Sequence, residues 1–528
     1  MQLSIIRNII HSGMIRIVEK LLYPFKYDLS YFSLLFAINA CISCSIVGIK
    51  GSLSFAIILA LFYYATTYLL VFFANLSHLA GKMLKPILLL ICITLLVMNI
   101  YCLYKYKIRA PIHIIASTNI NEIRAFIETY FSWPLVVLFF ALLLLGSISA
   151  YILTTKLKTD PTKHKRAVIL ALLLIISFIT TARNQDRIIE YVDKFGRLSD
   201  FADFRYEPTC PKIESSENSR PTYIIIILGE SFSPLHSSLY GYEKETNPLL
   251  KKRFDDADLI IFNRVASPQT STSAVFMYLL NTYLLEMEEQ KRWYTSTNLI
   301  EVMNTAGYHT IWWSNQAETG FCNNLPSGHS KICNEVAFMD ENCYDGILLD
   351  CKSSYSGKFN AIFYHLLGQH IVFNERYPIE YNIFKPSDYQ SSGGGSPEIL
   401  AQYDNATLYN DFVVNALIEK YKDSDTVVFY LSDHGLDLFD TDPDFFGHAK
   451  NTPESQEIGK KIPFMIYLSP LYQQLRPELT TRIREAANNE FCTDKFIYTV
   501  MDAAGLKFAD NDDVARYSLF NSSDRHEQ

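Results

Sequence analysis

Tyr223-Ile224-Ile225-Ile226-Ile227-Leu228-Gly229-Glu230-Ser231 is the stretch on which the reading of this chain turns. Six apolar residues run without a polar interruption and then stop at a glycine and a carboxylate. Continuous rather than alternating apolarity marks a strand buried on both faces. Similar short runs recur at Leu259 to Phe262, Thr310 to Trp313, Ala361 to His365, Thr426 to Leu431 and Phe464 to Leu468. Between them, Asn298 to Ala306 and Tyr403 to Tyr421 carry helical spacing. Strand and helix in alternation predict an α/β domain whose mostly parallel sheet is covered on both sides. Ser391 to Pro397, with three consecutive glycines, reads as a flexible loop.

Upstream the chain changes character. Five long apolar runs, at about 29 to 49, 53 to 74, 86 to 104, 132 to 154 and 167 to 182, each come near the ~20 residues a helix needs to cross a bilayer. Buried helices of a soluble protein would explain one such run better than five in succession. A cleaved signal peptide fits poorly, because the first run begins late and others follow it. The organisation expected is an all-α transmembrane domain of five helices over residues 1–182, a connector along the membrane surface over 183–220, and an outer domain over 221–528.

Orientation follows from the short loops. Arg7, Arg16, Lys20 and Lys26 precede the first run, Lys82 and Lys85 follow the second, and Lys156, Lys158, Lys163, Lys165 and Arg166 follow the fourth. Positive charge in short loops favours the cytoplasmic side, so an odd number of spans leaves the last domain outside. Lys105, Lys107 and Arg109 oppose this arrangement without reversing it. In a bacterium the outer domain then lies in the periplasm, tethered to the inner membrane. With 528 residues the chain is too long for one small module. Its 47 basic and 55 acidic residues, a formal charge of -8, exclude the basic excess of a nucleic-acid binder. The mean hydropathy of +0.07 averages an apolar anchor with a polar outer domain.

Cys41, Cys44, Cys92 and Cys102 sit in or beside the apolar runs and read as small apolar residues. Cys210, Cys322, Cys333, Cys343, Cys351 and Cys492 fall in the outer part, where an oxidising compartment makes them disulfide candidates. Local spacing favours Cys322 with Cys333 and Cys343 with Cys351. The absence of a paired CxxC argues against a cysteine zinc site.

A doubly covered sheet of this kind binds ligands beyond the carboxyl ends of its strands. Those ends carry Gly229-Glu230-Ser231, the hydroxyl-rich Ser267-Pro268-Gln269-Thr270-Ser271-Thr272-Ser273, His365-Leu366-Leu367-Gly368-Gln369-His370, and Ser432-Asp433-His434-Gly435, with His448 shortly after. Oxygen and imidazole ligands together suit zinc. A divalent ion beside a Ser or Thr hydroxyl makes a nucleophile and neutralises a phosphoryl oxygen, so phosphoryl or sulfuryl transfer is the chemistry indicated. Each residue also has a plain structural reading. Glu230 could cap the following segment, His365 could be a satisfied core histidine, and Thr270 to Ser273 could be a polar turn. His236 and His309 read as structural or exposed. Asp433-His434 resists such a reading, because a charged pair ending an apolar strand is costly to bury uncompensated.

In this order and spacing the motifs resemble those of the membrane-anchored phosphoethanolamine transferases, relatives of the alkaline phosphatase and sulfatase superfamily. The resemblance runs over nearly the whole chain. It includes Ser238-Leu239-Tyr240-Gly241-Tyr242, Thr246-Asn247-Pro248, Trp313-Ser314-Asn315-Gln316, Arg376-Tyr377-Pro378 and Ile462-Pro463-Phe464 as well as the strand-end motifs. It implies an alkaline-phosphatase-like α/β/α sandwich in which Glu230, Asp433, His434 and a threonine hold one zinc ion, with a second ion left open. Counting from Val265-Ala266-Ser267-Pro268 places that threonine at Thr272, with Thr270 as the fallback. His370 and His448 would act as proton carriers or bind the donor head group, and His365 and Asn315 would contact substrate. Two positions depart from the family pattern: Leu436 stands where an acidic residue often follows Asp-His-Gly, and Phe232-Ser233-Pro234 stands where an arginine often follows the first motif.

The activity implied is transfer of phosphoethanolamine from phosphatidylethanolamine to an envelope acceptor, lipid A or lipopolysaccharide core before other glycans. It would proceed through a phosphoethanolamine-threonine intermediate with release of diacylglycerol, carried out by a monomer. The alternatives are a phosphoglycerol transferase, a sulfatase-like hydrolase and a non-catalytic membrane receptor or scaffold. A sulfatase would carry a modifiable Cys or Ser in a Cys/Ser-x-Pro-x-Arg setting, which Ser267-Pro268-Gln269 does not supply.

Overall fold

Strand β1, Tyr223–Gly229, is buried from Ile224 onward and lies at the centre of a seven-stranded sheet. The computed structural model describes residues 210–215, 220–287, 293–318, 325–339, 343–389, 395–448 and 452–524. All of these belong to one compact unit of the chain. The five apolar runs, most of the 183–220 connector and Cys322 lie outside the described residues. No helix among the described residues is long and apolar enough to cross a membrane.

The other strands are β2, Leu259–Phe262; β3, His309–Ser314; β4, Glu335–Phe338; β5, Asn360–His365; β6, Thr426–Ser432; and β7, Phe464–Leu468. Across the sheet they run β2-β7-β6-β1-β5-β3-β4. β1 pairs in parallel with β5 and β6, and β3 with β4 and β5. Only β7, antiparallel to both β2 and β6, opposes the rest. The sheet is therefore mixed, and the carboxyl ends of the other six strands face one edge.

The apolar runs explain this layering. Ile225 and Ile227 of β1, Tyr364 of β5 and Val428 and Tyr430 of β6 share one core cluster with Val413, Val414, Leu417 and Ile418. Those four lie on the long helix Pro397–Tyr421, which opens on Ser396, its hydroxyl accepting from Ile399 N, with Pro397 in the first turn. On the opposite face, Phe429 packs edge-on against Phe496 of the helix Phe496–Ala503, with ring centroids 5.6 Å apart. Alternate residues of one strand thus bury against helices on two sides, each aliphatic side chain contributing ~1.5–3 kcal/mol.

Two expectations are corrected, and one strand was not foreseen. The glycine-rich loop ends at Ser396, because Pro397 already begins the helix. Strand β4 had no signal, since as an edge strand it is only partly buried and includes a glutamate and an exposed valine. Cys210, Cys333, Cys343, Cys351 and Cys492 are free thiols, so the Cys343–Cys351 pairing does not form. The 3-10 helix Asp345–Asp350 separates those two. At about 2 Å of rise per residue it holds their backbones farther apart than the ~7 Å a disulfide tolerates.

Candidate active site

The register of the central strands assembles the site. Gly229 of β1 lies opposite Ser432 of β6, and Leu228 lies opposite His365 of β5. One residue beyond that pairing on each strand come Glu230 and Asp433, both almost fully buried. Ser432 ties the two turns together, its hydroxyl accepting from Phe232 N at 2.9 Å and donating to His434 O at 2.8 Å. Ser231 adopts a positive φ of 55°. In that conformation its hydroxyl donates to Glu230 Oε1 at 2.7 Å and its N–H to Asp433 Oδ1 at 3.3 Å, while its carbonyl accepts from Tyr403 at 2.8 Å. Such a backbone costs ~1–3 kcal/mol and persists where its surroundings over-determine it.

A second loop clasps Glu230 from the side of β5. Leu366 N donates to Leu228 O at 2.9 Å and Gln369 N to Glu230 O at 3.0 Å. Gly368 sits at φ +53°, and a Cβ there would fall 2.8 Å from Glu230 N. Asp345 anchors this loop by accepting from Leu367 N and Gly368 N, each at 2.8 Å.

Glu230, Asp433 and His434 offer ligand atoms that all lie within 4.8 Å of one another. His434 Nδ1 meets the carbonyl of Gly435 at 2.9 Å, and since a carbonyl only accepts, Nδ1 carries the proton. Its Nε2 lone pair is then turned toward Glu230 Oε1 at 3.3 Å and Asp433 Oδ2 at 3.5 Å. Asp433 Oδ2 is buried and has no hydrogen-bond partner. Two buried carboxylates facing an imidazole lone pair, with an oxygen left unsatisfied, fit a divalent cation. Without a cation, a proton on His434 supplies the positive charge that a divalent ion would bring. Burial and the Glu230 charge push Asp433 up. Burial opposes ionisation of Glu230, yet contact with His434 and its charge hold it well below the usual range. His434, despite burial, is raised by Asp433 and Glu230.

Thr272 donates to Glu230 Oε2 at 3.0 Å and lies 3.5 Å from His434 Nε2. Thr270 instead turns its methyl group toward Gly459. The His448 ring lies 4.6 Å from that of His434. Burial lowers the basicity of His448 to about 3, and that of His370 more modestly.

Other expected residues stand further back. The ring of His365 lies beneath the site among Phe276 and Trp312, with Ser314 Oγ 3.1 Å from Nδ1, and burial lowers it to about 4. Asn315 spends its amide on Asp345 Oδ1 at 2.8 Å and Cys343 O at 2.9 Å, so it braces the clasping loop. His236 pairs with Asp440 at 3.3 Å, and His309 pairs with Glu335 at 2.9 Å while stacking on Tyr355. Phe232 and Leu436, the two departures from the family pattern, are buried core residues.

Gln316 and Asp345 escaped the sequence reading. Gln316 Nε2 reaches Glu230 Oε2 at 3.4 Å and Leu366 O at 2.8 Å. Its place directly after Asn315 in a quoted motif was the available signal; Asp345 had none.

Helices on both faces of a mixed sheet, with a carboxylate-imidazole triad and a threonine hydroxyl at its carboxyl edge, define the alkaline phosphatase/sulfatase superfamily. A family model described as Sulfatase matches residues 222–506, and the chain belongs to that family. Its relatives carry a more specific name. It is 29% identical over 318 residues to phosphoethanolamine transferase EptC of Escherichia coli O18:K1:H7, a match covering 57% of this chain and 54% of that one. The chain thus spans about half the length of that relative. It is 26% identical over 465 residues to phosphoethanolamine transferase CptA of Salmonella typhimurium, covering 79% and 78%.

Among solved structures, the C-terminal periplasmic domain of Escherichia coli EptC in complex with zinc superposes with a TM-score of 0.53 at 26% identity, covering 60% of this chain and 90% of that one. The integral membrane protein EptA of Neisseria meningitidis superposes with a TM-score of 0.60 at 18% identity, covering 93% and 96%, a likeness of fold.

Proposed function

We propose that this chain is a phosphoethanolamine transferase of the bacterial inner membrane, with its catalytic domain in the periplasm, using phosphatidylethanolamine as donor and lipid A or lipopolysaccharide core as acceptor. The observation that carries the reading is the Thr272 hydroxyl, directed at Glu230 and His434 beside the buried Asp433. The names of the relatives and the zinc complex of one of them support it.

Zinc held by Glu230, Asp433 and His434 would lower the pKa of the neighbouring hydroxyl and offset charge on the phosphoryl oxygens. Thr272 Oγ1 attacks the donor phosphorus, forming a Thr–O–P bond as the P–O bond to diacylglycerol breaks. The Thr272 proton passes first toward Glu230, its present hydrogen-bond acceptor. His370 or His448 would then relay that proton from Glu230 to the departing glyceride oxygen, and would take one from the acceptor as that oxygen displaces Thr272. Burial keeps both imidazoles neutral at rest, so either gives up a relayed proton readily.

The test is incubation of the purified zinc-loaded chain with labelled phosphatidylethanolamine and lipid A, following diacylglycerol and acceptor mass together. Both products should appear. Free ethanolamine phosphate as the sole phosphorus product would make the chain a hydrolase instead.

A further inference from the structure

Four large apolar side chains are exposed on two segments that share Tyr409 as a packing partner: Ile379 is 75% exposed, Ile383 59%, Tyr344 41% and Ile347 37%. Their two segments, Tyr344 to Ile347 and Ile379 to Ile383, meet on one residue. Tyr409 on the long helix contacts both segments, its ring lying 6.0 Å from Tyr344 and 4.8 Å from Tyr381, while its hydroxyl accepts from Gly346 N at 3.0 Å. Nor is this a loose loop. Buried Asn405 accepts from Ile383 N and Phe384 N, both at 2.8 Å, and donates to Phe384 O at 2.9 Å. The isoleucines are held outward on a platform pinned to the domain, and exposed apolar patches of this kind mark interaction sites.

The patch leads to the catalytic rim through Arg376. Its side chain is largely buried beside Asp345 and Tyr344, and its charge adds to burial in depressing the basicity of His370. Nε donates to Val372 O at 3.3 Å and Nη2 to Glu375 Oε2 at 3.4 Å, which leaves Nη1 without a partner among the described residues. Apolar surface, then a guanidinium beside the histidine and the triad, follow the order of acyl chains and reacting phosphate group in a phospholipid. The charges around the isoleucines are of both signs, Glu375, Glu380 and Lys385 with Arg376. That mixture matches a zwitterionic head group, carrying phosphate and ammonium together, better than an anionic surface.

We propose that the face formed by Tyr344, Ile347, Ile379 and Ile383, with Arg376 at its inner edge, rests on a zwitterionic phospholipid layer and admits the donor lipid to the site. This inference rests on the reading of the chain as a transferase with a membrane-lipid donor.

The experiment uses the full chain reconstituted in phosphatidylethanolamine-containing vesicles. Ile379→Trp fluorescence, taken as the difference from the parent, should be quenched by brominated phospholipid, whereas that of Leu475→Trp, exposed at a helix end, should not. This readout needs no catalysis, so it stands apart from the assignment of activity. Equal quenching at the two positions, or none at Ile379, overturns the proposal. In a second arm, the Ile379→Asp/Ile383→Asp variant should lose roughly tenfold or more of its turnover of bilayer phosphatidylethanolamine while keeping that of a water-soluble short-chain analogue. Parallel loss on both donors, or loss on neither, contradicts it. Wild type that turns over neither donor but is quenched at Ile379→Trp would overturn the transferase reading and leave the membrane face in place.

Discussion

Thr272 donates its hydroxyl proton to Glu230 across 3.0 Å, joining residues that lie 42 positions apart in the chain. No other hydroxyl of the Thr270-Ser271-Thr272-Ser273 cluster is bonded to the triad. Thr272→Ala should therefore abolish diacylglycerol release, by about three orders of magnitude or more, with zinc content and melting temperature near the parent's. Thr272→Ser should retain measurable transfer. Full activity in the alanine variant would move the nucleophile elsewhere, with Thr270 next in line.

Metal removal should act on stability as well as turnover. The buried carboxylates of Asp433 and Glu230, crowded against His434, are groups a cation satisfies and unfolding disperses. At a thousandfold excess of zinc over Kd, mass action contributes ~4 kcal/mol to the folded state. Chelation should lower the melting temperature by several degrees, and zinc should restore it more fully than magnesium. Identical melting curves with and without chelator would count against the triad as a metal site.

Gln316 bridges Glu230 and the carbonyl of Leu366 and so orients one member of the triad. Groups that orient a metal ligand in this way commonly affect metal affinity about 10- to 100-fold. Gln316→Ala is expected to weaken zinc binding by that order, measured by competition with a chromophoric chelator, and kcat should recover at saturating zinc. A kcat that stays low when the metal is saturating would assign Gln316 a contact with substrate.

Asp411 gives the fold a pH dependence away from the site. Its carboxylate accepts from Leu249 N and Leu250 N, each at 2.9 Å, yet burial pushes it up to about 7. An unfolded aspartate titrates near ~3.9. The folded state therefore holds the extra proton between those values, and stability falls as pH rises through that window. Relative to Asp411→Asn, which stays neutral throughout, the parent should lose melting temperature between pH 4.5 and about 7.5. A difference between the two proteins that does not change with pH would contradict this.

The legible parts of the fold were those in which one-dimensional pattern and burial coincide. Ile224 to Leu228, Val427 to Leu431 and Phe464 to Leu468 are buried on both faces, so their apolarity is continuous and announces strands. Glu335–Phe338, at the sheet edge, answers to one neighbour only and leaves no such trace. The same contrast divides the site. Glu230, Asp433 and His434 stand at strand ends, where position alone implies convergence. Asp345 enters through bonds to Leu367, Gly368 and Asn315, partners scattered over more than fifty residues, and such contacts exist only once the chain is folded. Even spacing failed as a guide for Cys343 and Cys351, because it ignores the 3-10 helix between them.

The parallel pairing of Gly229 with Ser432 has a consequence for folding. Runs such as Ile224-Ile225-Ile226-Ile227 are nearly uniform, so apolarity alone barely distinguishes one alignment of β1 and β6 from its neighbours. A slip of one residue would turn Glu230 and Asp433 to different faces and scatter the triad. Whatever binds Glu230, Asp433 and His434 together thus stabilises a single alignment of the central strands. In that sense the reactive end of the sheet acts as a gauge of its own assembly, favouring the chains whose strands have docked in step.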